Sequence, residues 1–145
     1  MDSEITAEQV ARALQLSIRL LNLRLRQHGV DDELAVPEAS VLARLDRLGP
    51  LDAASLARAE GISPQSVGAT VASLQRRGLV RREADATDRR RLLLNLTREG
   101  AGALARRRTR RADQLAAALE AGFSAEELRQ LFEVAPLIER LAEGL

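Results

Sequence analysis

Three adjacent arginines occupy the stretch DATDRRRLLLNL of residues 85–96, directly after two acids that suit a turn. Guanidinium groups bind phosphates and base edges, so a basic cluster on a turn indicates contact with nucleic acid. A run of arginines beside a turn is also common in solvated loops that bind nothing. The carboxylates of Asp85 and Asp88 can accept nearby backbone N–H groups, and this local role explains them without any catalysis.

The placement of charge is more informative than its sum. The chain has a formal net charge of only +1, whereas strong nucleic-acid binders are often more basic. Between residues 76 and 91, however, seven arginines stand against three acids. The basic residues are therefore concentrated in one segment.

Composition excludes several kinds of site. A chain of 145 residues with 46% hydrophobic content fits one compact domain, residues 1–145. There is no cysteine and a single histidine, His28, so we expect no disulfide, no metal site and no cofactor, and a structural role for His28 at a helix end. The sequence shows neither a signal peptide nor an apolar run long enough for a membrane span. These features predict a cytoplasmic protein without a membrane partner.

The N-terminal segment predicts a long helix with a wide apolar face. Thr6 and Gln9 have the spacing of a capping box, and Gly29 is placed to end the helix. Apolar residues recur at helical spacing in two neighbouring stripes, which comprise Val10, Leu14, Ile18, Leu21 and Leu25, and Leu16, Leu20 and Leu23. Such a face is wider than a surface helix needs for one partner.

Two short helices are predicted next. Pro37 suits a first-turn position, and the helix that it opens is stopped by Gly49. Asp52 can cap a second helix, which ends at Gly61.

A third short helix and a hairpin follow. Ser63 is a predicted N-cap with Pro64 at the first helical position, and Gly78 ends the helix. Its buried face is predicted to consist of Val67, Val71 and Leu74. The segment 79–83 then predicts a strand and 91–96 its antiparallel return, which is anchored by the alternating residues Leu92, Leu94 and Leu96.

The C-terminal part predicts two more helices. A long one runs from Thr97 toward Gly122, and a last one begins at Ser124, where Pro136 should kink or break it. The run RRRTRR at 106–111 lies within the long helix, and we expect its arginines to form a solvated face. The expected fold class is mainly α with a small β-hairpin.

Two short helices joined across AEGIS at residues 59–63 form a helix-turn-helix candidate, and the basic hairpin after them makes it a winged helix. Residues 37–100, which contain these elements, resemble the winged-helix core of the multiple antibiotic resistance regulator (MarR) family. The similarity is strongest in LARAEGIS, LQRRGLVRRE and DATDRRRLLLNLT. In the last of these, Asp88, Arg89 and Arg90 occupy the family's acidic, basic and arginine positions.

The resemblance implies a homodimeric transcriptional regulator, and we expect a repressor that binds a pseudo-palindromic operator in double-stranded DNA. The winged helix-turn-helix core would span residues 34–98, and residues 5–30 and 99–145 would form the helical dimerisation region. The second helix of the motif would lie in the major groove and the wing tip in the adjacent minor groove.

Individual DNA contacts follow from this arrangement. Gln65 and Ser66 lie at the helix N-terminus, where polar groups meet base edges or phosphates. Arg90 is the expected minor-groove reader, and Asp88 is expected to support it by holding its guanidinium. The full set of predicted DNA-binding residues is Ser63, Gln65, Ser66, Ser73, Arg76, Arg77, Arg89 and Arg90.

Other features leave alternatives open. Ala69 and Ser73 stand where many relatives of the family carry arginine or another long polar side chain, so the operator preference does not transfer.

Family members commonly respond to small aromatic or anionic compounds, and the sequence allows either such an effector or constitutive regulation. The competing function is a winged-helix protein-interaction module without specific DNA binding. No residue set predicts an enzyme.

Overall fold

The structure, a computed structural model, describes residues 5–27 and 33–145. His28 and Gly29 lie outside the described residues. The elements are α1 (Ala7–Gln27), α2 (Val36–Leu48), α3 (Ala53–Glu60), α4 (Pro64–Arg76), β1 (Val80–Ala84), β2 (Leu92–Leu96), α5 (Arg98–Gly122) and α6 (Ala125–Glu143). This confirms the expected mainly helical fold with one antiparallel hairpin. The chain divides into two compact units, Met1–Thr109 and Arg110–Leu145.

The first unit holds the hydrophobic core. Apolar side chains from α2, α3, α4, the hairpin and the first half of α5 pack together, and the largest of those that are fully buried are Leu34, Leu42, Leu56, Leu74, Leu94, Val41, Val67 and Val71. The three residues predicted for the inner face of α4 are thus confirmed as core. Because hydrophobic burial is the main driving force of folding, this cluster fixes the winged helix.

Local capping explains where the short helices begin. The Asp52 carboxylate accepts the Ser55 N–H at 2.7 Å, and Ser63 Oγ accepts the Ser66 N–H at 3.1 Å. Between the two helices Gly61 adopts φ 65°, a left-handed conformation that glycine reaches without steric cost. These contacts confirm the predicted caps of α3 and α4.

The hairpin pairs Val80 with Leu96 at its base and Ala84 with Leu92 near its tip. A further bridge joins Leu51 to Leu94, with N···O distances of 3.3 and 2.8 Å. No local pattern around Leu51 predicts this bridge, because its partner lies more than forty residues later in the chain. The predicted anchoring by alternate leucines is wrong in part, because Leu94 is buried but Leu92 is 52% exposed.

The start of α5 lies close to the backbone of the turn that follows α4. The Gly100 N–H donates to Thr97 Oγ1 at 3.0 Å, which confirms the predicted cap, and Thr97 Oγ1 donates to the Gly78 carbonyl at 2.7 Å. A Cβ atom on Gly100 would lie 2.1 Å from the Leu79 carbonyl oxygen. Only glycine fits this position without movement of the helix.

The arginine run of α5 is not simply a solvated face, so that prediction needs correction. Arg107 is buried and donates to the Leu34 carbonyl at 3.0 Å. Its neighbours form ion pairs with Glu33 and Asp46, at 2.8 Å from Arg106 and 3.0 Å from Arg108. The partners lie more than sixty residues earlier in the chain, and for this reason helical periodicity could not reveal them.

The first and last helices of the chain expose most of their apolar residues. No residue of α1 or α6 is buried among those described. The capping contacts predicted for Thr6 with Gln9 and for Ser124 with Glu127 are present. Helix α6 continues through Pro136 to Glu143, so the predicted break is wrong and a kink stays a prediction.

Candidate nucleic-acid interface

The first turn of α4 presents polar side chains to solvent. Ser63, Gln65 and Ser66 are all exposed, and the hydroxyl oxygens of the two serines lie 2.9 Å apart. Within the described part of the chain, Gln65 makes no hydrogen bond through its amide. Since the helix dipole makes this end positive and polar side chains surround it, the turn suits phosphates and the acceptor groups of base edges.

The far end of α4 has a different character. The Ser73 hydroxyl donates to Glu38 Oε1 at 2.8 Å, and Arg77 Nη1 donates to Glu38 Oε2 at 2.7 Å. Both side chains are predicted DNA contacts, and in the structure each is hydrogen-bonded to Glu38. Glu38 is the residue that the sequence analysis missed, because nothing local to it indicates a bond to a residue 35 positions away. Arg76 is exposed, as a phosphate contact requires.

The wing turn is closed by backbone and carboxylate hydrogen bonds. Asp85 accepts the Thr87 N–H at 3.0 Å and the Thr87 hydroxyl at 2.9 Å. These bonds, first of all the one from the N–H, lower the pKa of Asp85. The Asp85 N–H donates to the Arg91 carbonyl at 2.9 Å, and the Arg91 N–H donates to the Asp88 carbonyl at 3.0 Å. The turn therefore holds a fixed shape, as expected for turn aspartates.

Asp88 supports the wing in a way that differs from the prediction. Its carboxylate accepts the backbone N–H of Arg90 at 3.0 Å, and it is not hydrogen-bonded to the guanidinium. The side chains of Arg89 and Arg90 are exposed and have no ion pair with any described residue. Asp88 thus orients the backbone that carries Arg90 and leaves both guanidinium groups available for an external anion.

Arg91 has a structural position. Its guanidinium lies 2.5 Å from the Asp52 carboxylate and 3.7 Å from that of Asp85. The Ser55 N–H and then Arg91 lower the pKa of Asp52 to about 2. Arg91 therefore ties the wing turn to the start of α3. Of the three adjacent arginines, one is paired within the protein and two have no ion pair with any described residue.

Arg82 is a further external cation that the sequence analysis did not single out. It is exposed on β1 and has no ion pair among the described residues, whereas its neighbour Arg81 lies 2.7 Å from Glu83. The alternation of side chains along a strand was the available signal. Together with Arg76, Arg89 and Arg90 it gives the winged helix four exposed cations.

The described residues contain no group of acidic or histidine side chains arranged to hold a metal ion. Nor does that part of the chain include a helix with the length and apolar character needed to cross a membrane. Helix α4 and the wing expose hydroxyl, amide and guanidinium groups. Hydrogen-bond donors and cations of this kind bind anions.

Comparison with known proteins agrees with this geometry. The family model described as MarR family matches residues 28–91. A putative transcriptional regulator from Pseudomonas aeruginosa is 31% identical, with 95% of this chain and 98% of that chain covered and a TM-score of 0.80. The PcaV transcriptional regulator of Streptomyces coelicolor, solved in complex with its natural ligand, is 30% identical, with 99% and 96% covered and a TM-score of 0.53.

A third structure, a variant of MepR from Staphylococcus aureus bound to an oligodeoxyribonucleotide, is 22% identical, with 98% of this chain and 100% of that chain covered and a TM-score of 0.64. This likeness concerns the fold. No curated protein sequence matches the chain significantly.

Proposed function

Because the chain belongs to the MarR family of winged-helix transcriptional regulators, we propose that it binds double-stranded DNA as a homodimer and represses transcription from the bound site. Members of this family are regulators and not enzymes. The observation that carries the proposal is a winged helix whose wing exposes two arginines without an ion pair among the described residues and whose helix α4 exposes a polar first turn.

The recognition helix of this proposal is α4. Its first turn enters the major groove, where Gln65 and Ser66 meet base edges and Ser63 lies near a phosphate. Arg76 and Arg89 contact phosphates, while Arg90 enters the minor groove, whose negative potential favours a guanidinium. Ser73 and Arg77 are left out of these contacts because Glu38 already binds them.

Dimerisation is proposed from the helices outside the winged helix. In α1 the stripe Leu16, Leu20 and Leu23 is between 47 and 58% exposed. Helix α6 exposes Leu131, Leu137 and Leu141 to a similar degree. Apolar faces of this extent are typical of interaction surfaces. A second copy of the chain would cover them symmetrically, and a symmetric dimer requires an operator with two related half-sites.

An effector that releases the DNA is the remaining part of the proposal. The S. coelicolor PcaV regulator is 30% identical to this chain and was solved with its natural ligand. By analogy, a small aromatic or anionic compound would bind this protein and weaken its hold on DNA. A transcriptional regulator must reach genomic DNA, and we propose that this one acts in the cytoplasm.

The competing function, a protein-interaction module, draws support from Ala69, a small exposed residue on α4. Binding to a fluorescently labelled random duplex separates the two. A DNA-binding protein with several phosphate contacts should bind at about 50 mM salt and lose about 10³-fold in affinity or more by about 200 mM. An interaction module should leave the fluorescence anisotropy of the duplex unchanged at low salt.

A further inference from the structure

Glu38 is a buried carboxylate between α2 and α4, with 8% of its surface exposed. It accepts three hydrogen bonds, from Ser73 Oγ at 2.8 Å, from Arg77 Nη1 at 2.7 Å and from the Ala35 N–H at 3.0 Å. Two of these donors belong to the last turn and C-cap of α4. One side chain thus joins the start of α2 to the end of the proposed recognition helix.

The network favours the ionised carboxylate. Burial raises the pKa of Glu38, but the hydrogen bonds from Ser73, Ala35 and Arg77 outweigh it, and the net result is a lowered pKa. Loss of one partner would leave a poorly compensated charge in a buried position, which is costly. Ser73 and Arg77 are therefore held firmly as long as Glu38 is charged.

Arg77 also extends the network toward α5. Its Nη2 donates to the Glu33 carbonyl at 2.6 Å. The Glu33 carboxylate in turn accepts Arg106 Nε at 3.0 Å and Arg106 Nη2 at 2.8 Å. Residues 33–35 consequently lie between α5 on one side and the end of α4 on the other.

Apolar packing holds α4 along one face, where Val67, Val71 and Leu74 are buried in the core. The last turn of the helix carries polar contacts in addition. Hydrogen bonds are directional, and their energy falls steeply when donor and acceptor are misaligned. The bonds to Glu38 therefore add directional contacts that resist rotation and sliding of the C-terminal end of α4.

We propose that Glu38 is a positioning residue for α4, and that DNA affinity depends on this carboxylate although it does not contact DNA. The proposal rests on the proposed function, since it assumes that α4 binds DNA. Through Arg77 and Glu33 the same network makes the orientation of α4 sensitive to α5.

The first test compares Glu38→Gln with Arg89→Ala on a duplex enriched from random-sequence DNA. Glu38→Gln keeps the size of the side chain and removes its charge. It should weaken binding about tenfold and leave the slope of log affinity against log salt unchanged, because no phosphate contact is lost. Arg89→Ala, which removes a phosphate contact, should reduce that slope by about one.

The second test is a double-mutant cycle of Glu38→Gln and Arg77→Ala. If the two residues act as a unit, the double variant should bind about as well as the weaker single variant. Arg77→Lys should restore part of the affinity, because an ammonium group can still pair with Glu38. Additive losses, together with a lower salt slope for Arg77→Ala, would instead make Arg77 a phosphate contact and overturn the proposal.

Ser73→Ala is a third test, which remains informative if the charge variants do not fold. It removes one hydrogen bond to Glu38 and leaves the ion pair with Arg77 intact. The variant should have the circular dichroism spectrum of the folded wild-type protein and should bind DNA about threefold more weakly. Wild-type affinity for both Ser73→Ala and Glu38→Gln would refute the positioning role while leaving DNA binding established. Absence of binding by the wild-type protein would refute the proposed function itself.

Discussion

Arg90 extends from the wing with its backbone held by Asp88 and its guanidinium exposed. Arg91, one residue later, is paired with Asp52. Adjacent residues of one type therefore have separate environments, since Arg91 has an acidic partner within the protein and Arg90 has none among the described residues. The guanidinium of Arg90 is the one that an external anion can bind without breaking an ion pair.

The residue-scale prediction concerns Arg90→Ala. Removal of a guanidinium from the minor groove should weaken operator binding by about 1 to 3 kcal/mol without loss of thermal stability, since the Arg90 side chain has no hydrogen bond or ion pair with any described residue. Anisotropy titration with the enriched duplex measures the affinity. Arg98→Ala, which removes an exposed arginine from the start of α5, should bind like the wild type. Unchanged affinity of Arg90→Ala would remove the wing from the proposed interface.

At the scale of elements, the helix starts and the hairpin were predictable because their causes are local. Asp52, Ser63 and Ser124 accept N–H groups three residues further along the chain, and such spacings can be read directly. The bonds of Glu38 to Ser73 and of Arg106 to Glu33 could not be predicted, because they join residues 35 and 73 positions apart. The bridge at Leu51 was missed for the same reason.

The element-scale prediction concerns the contact of α5 with the turn after α4. Gly100→Ala places a Cβ against the Leu79 carbonyl oxygen at 2.1 Å, so the helix must shift and stability should fall by about 1 to 3 kcal/mol. Gly68→Ala is the matched control, since its Cβ meets nothing within 4 Å and a helical alanine should stabilise by up to about 1 kcal/mol. Urea unfolding measures both variants. Equal stability of the two would contradict the close approach.

At the scale of the whole molecule, recognition of an operator with two half-sites requires two copies of the chain. One winged helix presents one short polar helix start and one wing, which offers few base contacts. Two copies related by a twofold axis would double these contacts and place the recognition helices about 34 Å apart, in successive major grooves on one side of the duplex. The exposed apolar residues of α1 and α6 supply the surface for such an association.

Selection of binding sites from random-sequence duplex DNA tests this claim most directly. After several rounds with the wild-type protein, the enriched sequences should contain an inverted repeat whose half-sites are centred about one helical turn apart. Each duplex should bind two chains. Enrichment of a single, non-repeated site with one chain bound, or no enrichment at all, would contradict a dimeric DNA-binding regulator.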